Sequence, residues 1–137
     1  MDVENTWKVF GIKPIAMEVT PENVEGAVLE FYRNPSKVNS QCHEWLKLCQ
    51  SSPQAWQVVW PLFDQSKDIQ VQFVAANMLY FKVSRCLHEV PEADYPGLKD
   101  KLLNTLAGYV TGPVIVLTRL ELTVKSLLIC VASSLPV

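Results

Sequence analysis

Ser52-Pro53-Gln54-Ala55-Trp56-Gln57-Val58-Val59-Trp60-Pro61-Leu62-Phe63 runs directly into the polar stretch Asp64-Gln65-Ser66-Lys67-Asp68, and a long apolar segment then opens at Ile69. Ser52 ahead of Pro53 reads as a helix cap and first turn, where proline's missing N–H has no intrahelical partner in any case. Trp56, Val59, Trp60 and Phe63 recur at the spacing of one helical face. Beyond the polar turn, Val71, Val74, Ala75, Met78 and Leu79 make the buried stripe of a second helix over about residues 68–88. A connection this short makes the two helices antiparallel neighbours. Pro61 lies inside the first of them and should kink or shorten it. The stretch is one helix–turn–helix unit.

The same grammar recurs on both sides. Thr20-Pro21-Glu22 opens a helix over about 21–33, with Val24, Ala27, Val28 and Phe31 on one face. Asn34-Pro35-Ser36 breaks it, because a residue before proline avoids the α region. A second helix, about 36–50, carries Cys42, Trp45, Leu46 and Cys49. A third unit begins near Pro91, with Leu98, Leu102, Leu106 and Tyr109. Gly112-Pro113 then ends one helix and starts the last, about 113–135. Pro21, Pro53 and Pro91 stand 32 and 38 residues apart, in the range of stacked helical repeats. The expected fold is all-α, an α-solenoid of about three antiparallel helix pairs over residues 20–137, with residues 1–19 as an N-terminal tail.

At 137 residues, 49% hydrophobic and 19% charged, the chain can bury a core. A net charge of −2 gives no basic field for nucleic acid or an anionic membrane. Asp2 and Glu4 stand where a secretory signal carries positive charge. The apolar run from Val114 to Val131 contains Arg119, Glu121 and Lys125, which argues against a membrane span. That helix is apolar nearly all round, and wants cover on more than one side, from further repeats or a partner.

Chemistry finds little support. Cys42, Cys49, Cys86 and Cys130 form no C-x-x-C, and neither histidine stands at ligand spacing, so no metal is expected. Cys42 and Cys49 lie two turns apart on one face, too far for a disulfide, and read as buried thiols. Cys42 and His43 are adjacent, which points a nucleophile and a base apart. There is no phosphate loop and no G-x-S-x-G elbow. The acids Asp64, Asp68, Glu89, Glu92 and Asp94 fall in turns, where they cap helices and stay solvated. No catalytic residue and no cofactor is expected.

Several blocks carry a resemblance. Glu22-Asn23-Val24-Glu25, Ser52-Pro53-Gln54-Ala55-Trp56, Ile69-Gln70 through Lys82-Val83-Ser84-Arg85, Tyr95 with Leu98-Lys99, and Ile115-Val116-Leu117-Thr118-Arg119-Leu120 resemble, in content and spacing, the amino-terminal part of the importin-β superfamily (karyopherins), in its importin-13 branch. Residues 1–19 have no counterpart in that branch, and Pro61 departs from it. The resemblance implies HEAT-type repeats in a receptor that shuttles between cytoplasm and nucleus. It implies that the first repeats bind the small GTPase Ran in its GTP form, with protein cargo and nucleoporins as further partners. The contact surface would be the inner helices 36–50, 68–88 and 113–135. Their polar residues Gln72, Asn77, Lys82, Arg85, Arg119 and Lys125 are then the candidates for Ran. A tetratricopeptide-like scaffold is the alternative, although its W-x-x-L-G-x-x-Y signature is missing.

Trp45, Trp56 and Trp60 all fall on apolar stripes. If Trp56 and Trp60 are core residues, Trp56→Ala and Trp60→Ala should each cost about 3–5 kcal/mol, read as a fall in Tm.

Overall fold

Thr20 begins the described fold by capping it: its Oγ1 accepts a hydrogen bond from the backbone N–H of Asn23 at 3.1 Å. The computed structural model describes residues 18–33 and 37–134. The expectations for a tail over most of residues 1–19 and for the break at Asn34-Pro35-Ser36 fall largely outside those residues. Within them, every regular element is helical. Helix α1 spans Pro21–Arg33 and α2 Lys37–Ser51. Helix α3 spans Ala55–Leu62 and α4 Ile69–Arg85. Helix α5 spans Tyr95–Gly108 and α6 Val114–Ser134.

The proline reading holds at Pro21, is displaced at Pro53, which lies in a turn two residues before its helix, and fails at Pro91. Pro21 is the first residue of α1. Before α3, Ser52 Oγ accepts from the Gln54 N–H at 3.1 Å, and the helix starts one residue later. Pro61 shortens α3 to eight residues, since its ring nitrogen cannot continue the ladder. Pro91 leads into a 3-10 turn at Glu92–Asp94, and α5 opens only at Tyr95, with Pro96 in its first turn. Another 3-10 turn, Leu87–Glu89, opens the connection just after α4.

The helices pack as α1 with α2, α3 with α4, and α5 with α6. Helices α2, α4 and α6 form one layer, and α1, α3 and α5 the other. Across the stack the closest packing is α4 against α6. On the opposite layer α3 and α5 are held apart by two hollows of about 460 and 660 Å³. The side of α4 and α6 is thus the closed side of the junction between the second and third pairs, and the layer of α2, α4 and α6 is the one the resemblance gives as inner. The core is continuous through all three pairs. Val24 and Val28 of α1, Cys42 and Trp45 of α2, Val59 of α3, Leu79 of α4, Leu102 of α5 and Leu120 of α6 are all buried in it.

One turn fastens all three pairs. Asp64 Oδ1 accepts from the N–H and hydroxyl of Ser66, which fixes the α3–α4 turn. From it Lys67 Nζ reaches Glu25 of α1 at 2.7 Å. Gln65 Nε2 donates to the Gly108 carbonyl at the end of α5 at 2.6 Å. Gly112 fits against the same turn. A Cβ there would stand 3.1 Å from Gln65 Oε1 and 3.2 Å from the Tyr109 ring, tighter than packed atoms normally approach.

The tryptophans separate by depth. Trp45 is 2% exposed, whereas Trp56 and Trp60 lie half-buried at the rim of the outer hollows. The placement of these two rings in the core is therefore corrected. Pro61 ends α3 early, α5 starts late, and neither helix closes over them. Trp45→Ala should lose about 3–5 kcal/mol and Trp60→Ala about half as much, as two clearly separated falls in Tm.

Candidate protein-interaction surface

The inner layer presents its polar residues unevenly, because α4 is pressed between α2 and α6. Gln72 is 2% exposed. Its Nε2 donates to the Lys67 carbonyl at 2.8 Å, and its Oε1 accepts from the Tyr109 hydroxyl at 2.7 Å. Lys82 is fully buried. Its Nζ donates to Glu89 Oε1 at 2.6 Å and lies 5.7 Å from the centre of the Trp56 ring. Trp56 Nε1 donates to the same carboxylate oxygen at 2.9 Å. Expected as exposed contact residues, Gln72 and Lys82 are instead core groups with partners. A buried amide or ammonium is retained only when so satisfied.

The other four candidates reach the surface. Asn77 lines a cleft of about 310 Å³ between α1, α2 and α4, beside His43, Lys47 and Gln50. Leu46, Val74 and Met78 form its apolar floor. His43 is stacked on Phe31, with ring centres 5.6 Å apart, which fixes the imidazole at the rim. Arg119 of α6 spreads over Tyr80 of α4 at 5.3 Å, a cation–π contact that joins the two inner helices at the surface. Arg85 lies over Phe81 at 5.9 Å, and Lys125 is exposed farther along α6. Asn77, Arg85 and Arg119 thus sit on or beside aromatic and apolar side chains, while Lys125 stands apart.

His43 and Lys47 of α2 and Tyr80 of α4 belong to this surface but are not among the candidates read from helices 36–50, 68–88 and 113–135. Heptad spacing of His43 and Gln50, with Lys47 between them, puts these three on one face of α2 and could have found His43 and Lys47.

Cys42 and Cys49 are both buried, and burial pushes the Cys49 thiol up to about 12, so it does not offer a thiolate. Burial, and then the charge of Asp64, raise the Tyr109 hydroxyl to about 12, so it stays a donor to Gln72. Among the described residues, no group of three or more histidines, cysteines or acids stands close enough to hold a metal ion. No helix among them is long and apolar enough to cross a membrane.

No family profile matches the chain. Over 113 residues, 82% of the chain, it is 36% identical to Importin-13 of Bos taurus and to Importin-13 of Homo sapiens. It is 27% identical over 113 residues to Transportin MOS14 of Arabidopsis thaliana. In each case the match covers 12% of the relative's own length, so the chain spans about an eighth of these proteins.

The Lys82–Glu89 pair makes an asymmetric prediction. Glu89→Ala strands a buried ammonium and should cost about 3 kcal/mol, whereas Lys82→Met replaces it by an apolar side chain of similar volume and should cost far less. Hydrogen bonds from Lys82 and then Trp56 hold the Glu89 carboxyl below its ordinary 4.5. A lowered folded-state value gives stability that is present above pH 4.5 and lost as the pH falls below it. Acid melts should show that loss in the wild type and not in Glu89→Gln.

Proposed function

The chain is an importin-13-like member of the importin-β (karyopherin) family, a solenoid of HEAT-type helix pairs, and on that premise we propose that its inner helices α2, α4 and α6 form a docking surface for the small GTPase Ran in its GTP-bound state. The observation that carries the reading is the 36% identity to Importin-13 over 113 residues, 82% of the chain. The surface supports it chemically. Asn77, His43 and Lys47 offer hydrogen-bonding groups around an apolar cleft, and Arg119 and Arg85 offer cations laid on aromatic rings. Aromatic and arginine side chains dominate the energetics of protein interfaces.

Gln72 and Lys82 serve the surface from behind. Gln72 locks α4 to Tyr109 just beyond α5, and Lys82 locks α4 to the turn carrying Glu89. The exposed face of α4 is thereby held in one register, and less side-chain ordering is left to be lost on binding. In a whole receptor, Ran-GTP and protein cargo would be coupled through the curvature of the solenoid. Each then lowers the other's affinity by the same factor, because a coupling free energy is reciprocal. Exchange of cargo would follow the nucleotide state of Ran as the receptor shuttles between cytoplasm and nucleus, with nucleoporins as transient partners.

Titration of the chain with Ran carrying a GTP analogue, and separately GDP, tests the proposal. Binding to the GTP form alone is expected, with Arg119→Glu weakening it about tenfold or more. Equal binding to both forms, or none by a chain whose far-ultraviolet circular dichroism is helical, would overturn it.

A further inference from the structure

The two outer hollows share Trp60 and Lys101, and the Lys101 ammonium lies 4.8 Å from the centre of the Trp60 ring. They are therefore the two halves of one groove between α3 and α5, with Lys101 across its middle. Its walls come from the second and third pairs, so the groove belongs to the junction of two stacked repeats. One wall is aromatic, with Trp56 and Trp60 of α3 and Phe63 at its end. The other is the face of α5 on which Gly97, Lys101, Asn104 and Gly108 follow one another at helical spacing.

The two glycines on that face mark a close approach. Both are helical, and at either an added Cβ would meet nothing within 4 Å. Glycine weakens a helix relative to alanine. Neither backbone conformation nor packing among the described residues calls for it here. A second chain laid close along α5 does.

Charge alternates along the groove. Asp94, just before α5, lines the smaller hollow, Lys101 stands at the middle, and Asp64 lines the larger hollow beside Gly108. All three are exposed. The helix rises about 10 Å from the level of Asp94 to Lys101 and about 10 Å more to Gly108.

From these features we propose that the groove binds an extended segment of a partner protein, with an acidic residue at its centre, an apolar residue two positions to each side and a basic residue at each end. An extended chain advances about 3.3 Å per residue and turns alternate side chains to one face. A carboxylate set on Lys101 then sends one apolar side chain into each hollow. Basic residues three positions out fall about 10 Å away, at the levels of Asp94 and Asp64. Asn104 offers its amide to the segment's backbone. An apolar segment would desolvate all three charges of the groove without pairing them, and the reversed charge order would oppose each with its like. The groove lies on the layer opposite α2, α4 and α6, so this binding does not depend on the reading of the inner surface.

Titration of the labelled peptide Arg-Leu-Ser-Glu-Ser-Leu-Arg with the whole chain, followed by fluorescence anisotropy, is the test. Saturable binding is expected, at least tenfold tighter than for Glu-Leu-Ser-Lys-Ser-Leu-Glu or Ser-Leu-Ser-Ser-Ser-Leu-Ser. Lys101→Glu should weaken it about tenfold, and a peptide with lysine in place of its central glutamate should recover the loss on that variant. Gly97→Leu fills the smaller hollow and should abolish binding, while its circular dichroism stays helical and its Tm does not fall, since space is open there. No saturable binding at millimolar peptide would overturn the proposal. So would equal affinity for either control peptide, no recovery on Lys101→Glu, or unchanged binding by Gly97→Leu. A dimer of the chain alone that Gly97→Leu dissociates would assign the groove to a second copy, and would overturn it too.

Discussion

The hydrogen bond between the Gln72 side chain and the Tyr109 hydroxyl, 2.7 Å long inside the core, is the constraint from which the rest of the stack follows. Apolar packing between helices is non-directional, and ridges can slide by a turn with modest loss. A buried amide is less forgiving, because each unsatisfied atom carries a full desolvation penalty. Gln72 meets both of its needs at once, from the Lys67 carbonyl and from Tyr109. Those two partners belong to the turn in the middle of the second pair and the turn in the middle of the third. With Lys67 also bridged to Glu25 and Gln65 to the Gly108 carbonyl, one short turn fixes the register of all three pairs. The tyrosine's raised ionisation range belongs to the same arrangement, since only the neutral hydroxyl can donate.

The two layers of the stack divide the work. The inner layer is closed, and its surface residues are steadied by contacts between helices, as Arg119 is by Tyr80. The outer layer is open between α3 and α5, and Lys101 bridges the gap at 4.8 Å from the Trp60 ring without filling it. A repeat array can flex most where neighbouring units touch least. Bending is therefore expected at the outer seam, with α4 and α6 acting as its hinge.

Much of this was legible in the chain itself, for identifiable reasons. Helix α1 was, because Thr20 and Pro21 are a local signal and the cap forms as read. Trp45 was, because it lies between Cys42 and Cys49 on a stripe covered from several sides. The start of α5 was not, because Pro91 and Pro96 both satisfy the first-turn rule and only packing decides between them. Lys82 and Gln72 were not, because polar residues are by default exposed. Glu89 lies seven residues beyond Lys82 and Tyr109 lies 37 beyond Gln72. Periodicity carries the direction of a side chain; it does not carry the identity of a partner brought in by the fold. The candidate surface was legible to the level of its helices. The residues that line it depended on how deeply α4 sank between its neighbours.

The complete burial of Lys82 has a practical corollary. Amine-directed acylating reagents reach a lysine only where its nitrogen meets water, and the exposed Lys47, Lys99 and Lys101 are open to them at all times. Lys82 can react only when the turn carrying Glu89 lifts away from α4. Its labelling rate, followed by mass spectrometry beside those exposed amines, would serve as a built-in clock for the opening of the middle of the stack.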